Sequence, residues 1–366
     1  MKTLLVTQAD LRKLVHAVGI HPLMDQVIEA VEDAFRSFDT DRTELRQREG
    51  FTLRNARTGV LEWMPVMRQG ESITIKVVGY NPLNPKQYGV PTIIATNSVY
   101  DCGTGHLTAV VDGVLATALR TGAASAIASK CLANPDSRVV GLVGSGAQAV
   151  TQLHALSRLF SIERVNVFDV DPVAHRSFAR RVAFLGLDVR AVPLEVVEAE
   201  ADILCTVTSV GVGEGPVLED GRLRPWVHVN AVGSDLPGKV ELPRSLLERS
   251  LVCPDFLPQA LVEGECQQLR PEQIGPGIID VVQHPGRYEE WRGRSTVFDS
   301  TGFSLEDEAV TRVLTELARR HGLGLDVELE CLAGDAMDPY DLLLPEHPPQ
   351  AGQVAPGSLR PTIRVA

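Results

Sequence analysis

"GLVGSGAQAVTQLHAL", Gly141–Leu156, joins an apolar run to a helical pattern through a glycine turn. Arg138–Val143 reads as a strand, and Gly144-Ser145-Gly146-Ala147-Gln148-Ala149 fits the pattern G-x-G-x-x-A. The helix after it places Ala149, Leu153, Leu156 and Phe160 on one face. In such a turn the first glycine permits the tight bend and the second lets backbone approach a pyrophosphate. The alanine allows close helix–strand packing, and the helix N-terminus receives the anion. The same turn could also do no more than reverse the chain. The next apolar run, "RVNVFDVDP", ends at Asp169, twenty-five residues after Gly144. An acidic side chain there bonds an adenosine ribose 2′-OH and repels a 2′-phosphate, which favours NAD over NADP. The alternative is that Asp169 caps the following helix, although Asp171 is better placed for that.

Further runs, "DILCTVTS" and "VHVNAVG", alternate with helix-like segments such as "PVAHRSFARRVAFLG". Strands alternating with helices imply right-handed crossovers and a parallel sheet. The first hundred or so residues read differently, as strands behind an amphipathic helix around Leu23–Phe38. In "ESITIKVVGYNP", Ile73, Ile75 and Val77 share one face while Thr74 and Lys76 share the other; in "GVLEWMPV", Val60, Glu62 and Met64 fall on one side. Gly113–Ala133 is a long helical pattern rich in small residues, suited to close packing or a domain junction. "STGFSLEDEAVTRVLTELARRHG" forms a later helix, with Ser304 the expected N-cap and Gly322 the expected C-cap. The tail 345–366, rich in Pro and Gly, is expected to be disordered. The fold class expected is α/β. A central Rossmann dinucleotide-binding domain, 121–309, joins an α+β substrate-binding and dimerisation domain made of 1–120 and 310–344.

Bulk properties narrow the function. The chain has 366 residues, 44% hydrophobic and 22% charged, the balance of an ordinary soluble globular protein. A net charge of -12 argues against a nucleic-acid surface and favours cationic substrates. The six cysteines include no C-x-x-C pair, which argues against both a zinc site and a disulfide framework and fits a reducing cytoplasm. "MKTLLVTQADLRK" reaches Asp10 too early for a signal peptide, and no apolar run approaches the roughly 20 residues that cross a bilayer. The histidines form no metal-like cluster, and no metal is expected.

Three stretches, "TALRTGAASAIASKCLA", "GLVGSGAQA" and "NAVGSDLPGKVELP", together resemble the ornithine cyclodeaminase/mu-crystallin family. The resemblance runs over nearly the whole chain except the tail. "EWMP", "GYNPLNPKQYGVPTI", "VFDSTGF", "GECQQL" and "DAMDPY" look most like the lysine cyclodeaminases that make pipecolate. The resemblance implies bound NAD, a homodimer built through the N-terminal domain and a substrate pocket between the domains. Arg48, Lys76 and Arg120 match positions that hold a substrate carboxylate, with Arg46 an alternative to Arg48. Asp235 matches the acid/base at the amines, Glu62 a supporting carboxylate, and Lys76 belongs to the same catalytic group. Around the dinucleotide it implies Gly144, Ser145, Gly146, Ala147, Gln148, Asp169, Thr121, Thr206, Asn230, Val232, Lys239 and Ser300.

Each of these side chains has a plainer reading as well. A planar guanidinium suits the carboxylate of an amino acid, but Arg120 could equally sit in a buried ion pair. Lys76 could be a solvated strand residue, and Glu62 a structural hydrogen-bonding group. Asp235 ends the "VHVNAVGS" strand at the edge where doubly wound sheets bind ligands, or it could cap the helix after it. The implied activity turns a basic L-diamino acid into a cyclic imino acid plus ammonia with no net redox, lysine to pipecolate being favoured over ornithine to proline. The alternatives are an NAD-dependent amino-acid dehydrogenase or ketimine reductase, and a nucleotide-dependent binding protein without turnover.

Overall fold

A computed structural model describes residues 1–54 and 57–343; the tail 345–366, expected to be disordered, lies outside them. The glycine turn lies in a seven-stranded parallel sheet. Its strands run in the order Val189–Ala191, Arg164–Phe168, Val139–Val143, Ile203–Thr206, His228–Ala231, Thr296–Asp299, Leu251–Pro254. The chain starts at Val139–Val143, builds outward to one side, then crosses over beside its starting strand. Register aligns the carboxyl ends: Val143 pairs with Phe168 and Thr206, Thr206 with Ala231, and Ala231 with Asp299. Gly144, Asp169, Val207, Val232 and Ser300 therefore stand along one edge, at the switch point where such sheets take ligands.

The second sheet has eight strands, drawn from residues 3–112 and from Leu325–Val327. Strand Gly59–Arg68 pairs antiparallel with Ser72–Tyr80 so that Val60 faces Tyr80, Glu62 faces Val78 and Met64 faces Lys76. All six share the inner face. Thr74, Lys76, Val78 and Tyr80 are buried, whereas Val77 on the opposite face is exposed. Burial thus favours the face that holds the lysine. The outer face carries Phe51 65%, Leu61 42%, Val77 39% and Ile94 48% exposed.

Helix Gly113–Leu132 links the two sheets. Its Gly122 approaches helix Ala147–Leu159 so closely that a Cβ would stand 2.4 Å from the Thr151 carbonyl oxygen. Gln152 Nε2 donates to the Thr121 carbonyl at 3.2 Å. Both expected domain boundaries, at 120/121 and 309/310, fall inside unbroken helices, Gly113–Leu132 and Ser304–Arg320. The amphipathic helix expected around Leu23–Phe38 is Ile20–Arg36, which buries Leu23, Val27, Val31 and Phe35; a further helix, Gln8–Val18, precedes it across Gly19. The N-cap of Ser304–Arg320 is Phe303 rather than Ser304, whose hydroxyl donates instead to the Pro65 carbonyl at 2.9 Å. That hydroxyl ties the helix to the inner face of the sheet. The helix ends at a His321 C-cap, with Gly322 at φ +63° one residue on. No helix among the described residues is long and apolar enough to cross a membrane.

Candidate active site

Between the carboxyl edge of the parallel sheet and the inner face of the other sheet lies a cavity of about 630 Å³, its mouth included. Arg48, Glu62, Lys76, Arg120 and Asp235 all line it, beside the apolar Val60, Met64, Val78 and Ile93. It opens into a larger crevice, about 1310 Å³, lined by Gly146, Ala147, Gln148, Val207, Thr208, Val232 and Gly233. Tyr80, Ile93, Thr117, Gln148, Val232 and Asp235 border both spaces.

The crevice fits a dinucleotide. Gly144 has φ +93°, and a Cβ there would come within 2.8 Å of the Val207 carbonyl oxygen, so only glycine serves. Gly146 is the N-cap of helix Ala147–Leu159, with open space where its Cβ would be and no side chain bonding the first N–H groups. Those N–H groups face the crevice as an anion seat. Asp169 braces the turn, its Oδ2 accepting from Ser145 N at 2.7 Å and Ser145 Oγ at 2.8 Å. Asp171 is the N-cap of the next helix, accepting from Val173 N and Ala174 N.

The other residues assigned to the cofactor by resemblance divide. Val232 borders both spaces, Thr121 and Ser300 line the smaller cavity, and Lys239 lines the larger crevice. The Ser300 hydroxyl is buried with no hydrogen-bond partner. Thr206 and Asn230 line neither. Asn230 Nδ2 donates to Ser129 Oγ at 3.0 Å, which turns the carboxamide into helix Gly113–Leu132 and away from the crevice.

The three cations are held from behind by carboxylates. Arg48 Nε lies 3.1 Å from Glu263, its Nη1 3.4 Å from Glu62, and its Nη2 donates to the Gly302 carbonyl at 2.8 Å. Arg46 instead points to solvent beside Glu44, so Arg48 is the one at the cavity. Arg120 Nη1 donates to Glu306 at 2.7 Å and its Nε lies 3.4 Å from Asp307. Lys76 Nζ lies 2.8 Å from the same Asp307, with both side chains fully buried. Gly302, at φ +80°, packs on the Arg120 guanidinium: a Cβ there would sit 2.4 Å from Nη1. Arg120 thus has its buried ion pair and still lines the cavity.

Glu263, Asp255, Glu306 and Asp307 are the partners that residue-by-residue reading misses. Glu306 and Asp307 open a helix, where acidic residues are ordinary. Only their full burial sets them apart. Asp255 accepts from Thr301 Oγ1 at 2.9 Å and from Gly302 N, fixing the loop that Arg48 and Arg120 touch.

Carboxylates around the cavity outnumber cations. Burial pushes Glu263 up to about 7 and Glu306 up to about 8, with Arg48 and Arg120 respectively pulling them back. Burial also raises Glu62. The Lys76 ammonium is brought down to about 8, by burial first and with Arg120 adding to it against the pull of Asp307. Such a site takes a ligand with one carboxylate for the cations and ammonium groups for Glu62 and Asp235.

A model of the ornithine cyclodeaminase/mu-crystallin family matches residues 9–322. An L-lysine cyclodeaminase from Streptomyces rapamycinicus is 40% identical over 343 residues, which is 93% of this chain and 100% of that protein. A solved lysine cyclodeaminase, described as recognising L-lysine, L-ornithine and L-2,4-diaminobutyric acid, superposes with a TM-score of 0.91. It is 47% identical and covers 93% of this chain and 100% of its own. An archaeal alanine dehydrogenase dimer with bound NAD superposes with a TM-score of 0.80 at 32% identity, covering 90% and 100%.

Proposed function

The chain belongs to the ornithine cyclodeaminase/mu-crystallin family, and from that premise we propose that it is an NAD-dependent cyclodeaminase converting L-lysine to L-pipecolate and ammonia. The observation that carries this is the convergence of Arg48, Lys76 and Arg120 with Glu62 and Asp235 in one cavity beside a dinucleotide-shaped crevice. NAD, when bound, supplies an acceptor that takes a hydride from Cα and gives it back within the turnover.

The chain's own residues do the rest. Arg48, Lys76 and Arg120 grip the substrate carboxylate and turn Cα–H toward the crevice. Both amines arrive as ammonium ions, and neither can react until a proton leaves. Asp235 and Glu62 take those protons and return one to the departing ammonia. Val60, Met64, Val78 and Ile93 enclose the methylene chain, excluding water while the side-chain amine closes onto Cα. The Asp169 carboxylate, bonded to Ser145 in the glycine turn, adds negative charge there, which favours NAD over NADP.

Lysine is placed ahead of ornithine on the likeness to lysine cyclodeaminases. One methylene is worth only about 1–3 kcal/mol in a pocket, so both substrates should react, lysine faster. The exposed apolar outer face of the N-terminal sheet supports a homodimer, and six free cysteines fit a reducing cytoplasm. Purified protein given equal lysine and ornithine with catalytic NAD tests the assignment by mass spectrometry. Pipecolate should exceed proline; proline in excess makes it an ornithine enzyme, and keto acid with accumulating NADH makes it a dehydrogenase.

A further inference from the structure

The stretch that carries Asp235 and Lys239 runs on to Glu241, whose side chain is fully buried and lines neither the cavity nor the crevice. Its carboxylate bridges two loops. Oε1 accepts from Thr208 N at 2.7 Å and Oε2 from Gly233 N at 2.8 Å. We propose that Glu241 is the positioning residue of the dinucleotide crevice, clamping these two loops in the arrangement that receives NAD, a role that rests on the reading of the crevice as the NAD site.

The two loops leave neighbouring strands where the sheet opens. Thr206 pairs with Ala231, and Val232 N donates to the Thr206 carbonyl at 3.0 Å. Beyond that bond the strands part, and the N–H groups of Thr208 and Gly233 turn to Glu241 instead. One carboxylate thus continues the ladder where backbone pairing stops. Both loops wall the crevice, through Val207, Thr208 and Ser209 on one and Val232 and Gly233 on the other. The bond to Thr208 also fixes the Val207–Thr208 peptide, and the carbonyl of that peptide is the group on which Gly144 of the glycine turn packs. Gly233 lies flat on the carboxylate: a Cβ there would stand 2.3 Å from Glu241 Oε1.

The protein sets this clamp through its own backbone. Among the described residues no ion pair includes the Glu241 carboxylate, and the nearby Lys239 pairs with Asp235. A buried charge without a counterion depends on the N–H groups that it accepts from. The place of Glu241 is fixed in turn by two further buried acids. Glu265 accepts from Glu241 N at 2.7 Å and from Leu242 N at 3.2 Å, and Asp299 accepts from Glu265 N and Cys266 N, both at 2.8 Å. Asp299 closes strand Thr296–Asp299, just before Ser300 of the cavity. Three carboxylates, each taking two backbone N–H groups, therefore run from that strand end to the crevice wall.

The test compares Glu241→Gln with the parent, and with Glu198→Gln as a matched control. The readouts are thermal midpoint, NAD affinity by fluorescence titration, and kcat and lysine KM at saturating NAD. Glu198 is an equally buried acid of the parallel-sheet region that accepts from Glu219 N at 2.7 Å and lines neither space. In Glu241→Gln one acceptor becomes an NH2 group facing a backbone N–H, so one loop is released. NAD affinity should fall roughly tenfold or more, with kcat and lysine KM returning to the parent values once NAD is saturating. Glu198→Gln should lower the thermal midpoint and leave NAD affinity at the parent value. Parent-like NAD affinity in Glu241→Gln overturns the inference, as does a loss of affinity that Glu198→Gln matches. If Glu241→Gln does not fold, hydrogen–deuterium exchange on the parent decides. The Thr208 and Gly233 amides should be protected before NAD is added and gain little from it; protection that appears only with NAD overturns the clamp. A parent that binds no NAD removes the reading of the crevice itself, whereas a parent that binds NAD no better than Glu241→Gln does removes only the role of Glu241.

Discussion

The crevice and the cavity beside it are built from different materials. The crevice is made of backbone: a positive-φ glycine, an open helix N-terminus and strand ends in register. The cavity is made of side-chain charge, three cations each backed by buried carboxylates. A backbone site forms wherever the local chain can adopt its shape. A charge site exists only when distant segments arrive together, since any member left unpaired in the interior is costly. Damage should therefore spread differently through the two.

The largest effect is expected at Arg120. Arg120→Ala removes the carboxylate contact, strands Glu306 and leaves Asp307 to Lys76 alone, so turnover should be abolished. Substrate binding should weaken by at least ~1.5–3 kcal/mol. Thermal stability should fall as well, because breaking a buried pair by removing one partner costs about 3–5 kcal/mol. NAD affinity, measured by fluorescence titration, should change little. Normal turnover at normal substrate concentration would place the clamp elsewhere and make Arg120 structural.

On the crevice side, Gly144→Ala puts a side chain at φ +93° and against the Val207 carbonyl. Strain of about 1–3 kcal/mol should weaken NAD binding by roughly tenfold or more while leaving substrate affinity in the loaded enzyme near normal. If both fall together, the two regions are not separable in the way their construction suggests.

These two regions also differ in how far they can be read without coordinates. The crevice is contiguous in sequence, Gly144 to Ala149 with Asp169 on the next strand, so local pattern reaches it. The cations of the cavity come from three separate segments, and the resemblance rather than spacing joins Arg48, Lys76 and Arg120. Their carboxylates are harder still: Glu306 lies 186 residues from Arg120, and nothing in "SLEDEAV" separates a buried acid from a helix-opening one. Alternation in "ESITIKVVGY" shows which residues share a face, but period two does not say which face is covered. Position in the sequence alone does not show that the Asn230 carboxamide bonds Ser129.

A smaller, graded effect should come from pH. The Lys76 ammonium, held down to about 8 by burial, grips the substrate carboxylate only while protonated. kcat/KM should therefore fall above about pH 8, by up to about tenfold per unit, while NAD affinity stays flat. Lys76→Met, already lacking the charge, should start lower and lose that limb. A parent profile flat to high pH would remove Lys76 from the clamp.

The smallest effect is expected at Asp169. Asp169→Ala deletes the charge that opposes a 2′-phosphate and also the brace on Ser145. NAD binding should weaken modestly while NADP binding improves, so that selectivity narrows without loss of fold. Titration with both cofactors checks it; tighter NADP binding by the parent protein would reverse the assignment.

The most direct measurement follows the hydride. L-Lysine deuterated at Cα, given catalytic NAD, should yield pipecolate that keeps its deuterium, with ammonia formed in equal amount over many turnovers and no build-up of reduced-nicotinamide absorbance. One NADH accumulating per product, with deuterium lost from the carbon skeleton, would contradict a redox-neutral cyclodeaminase and establish a dehydrogenase on the same scaffold.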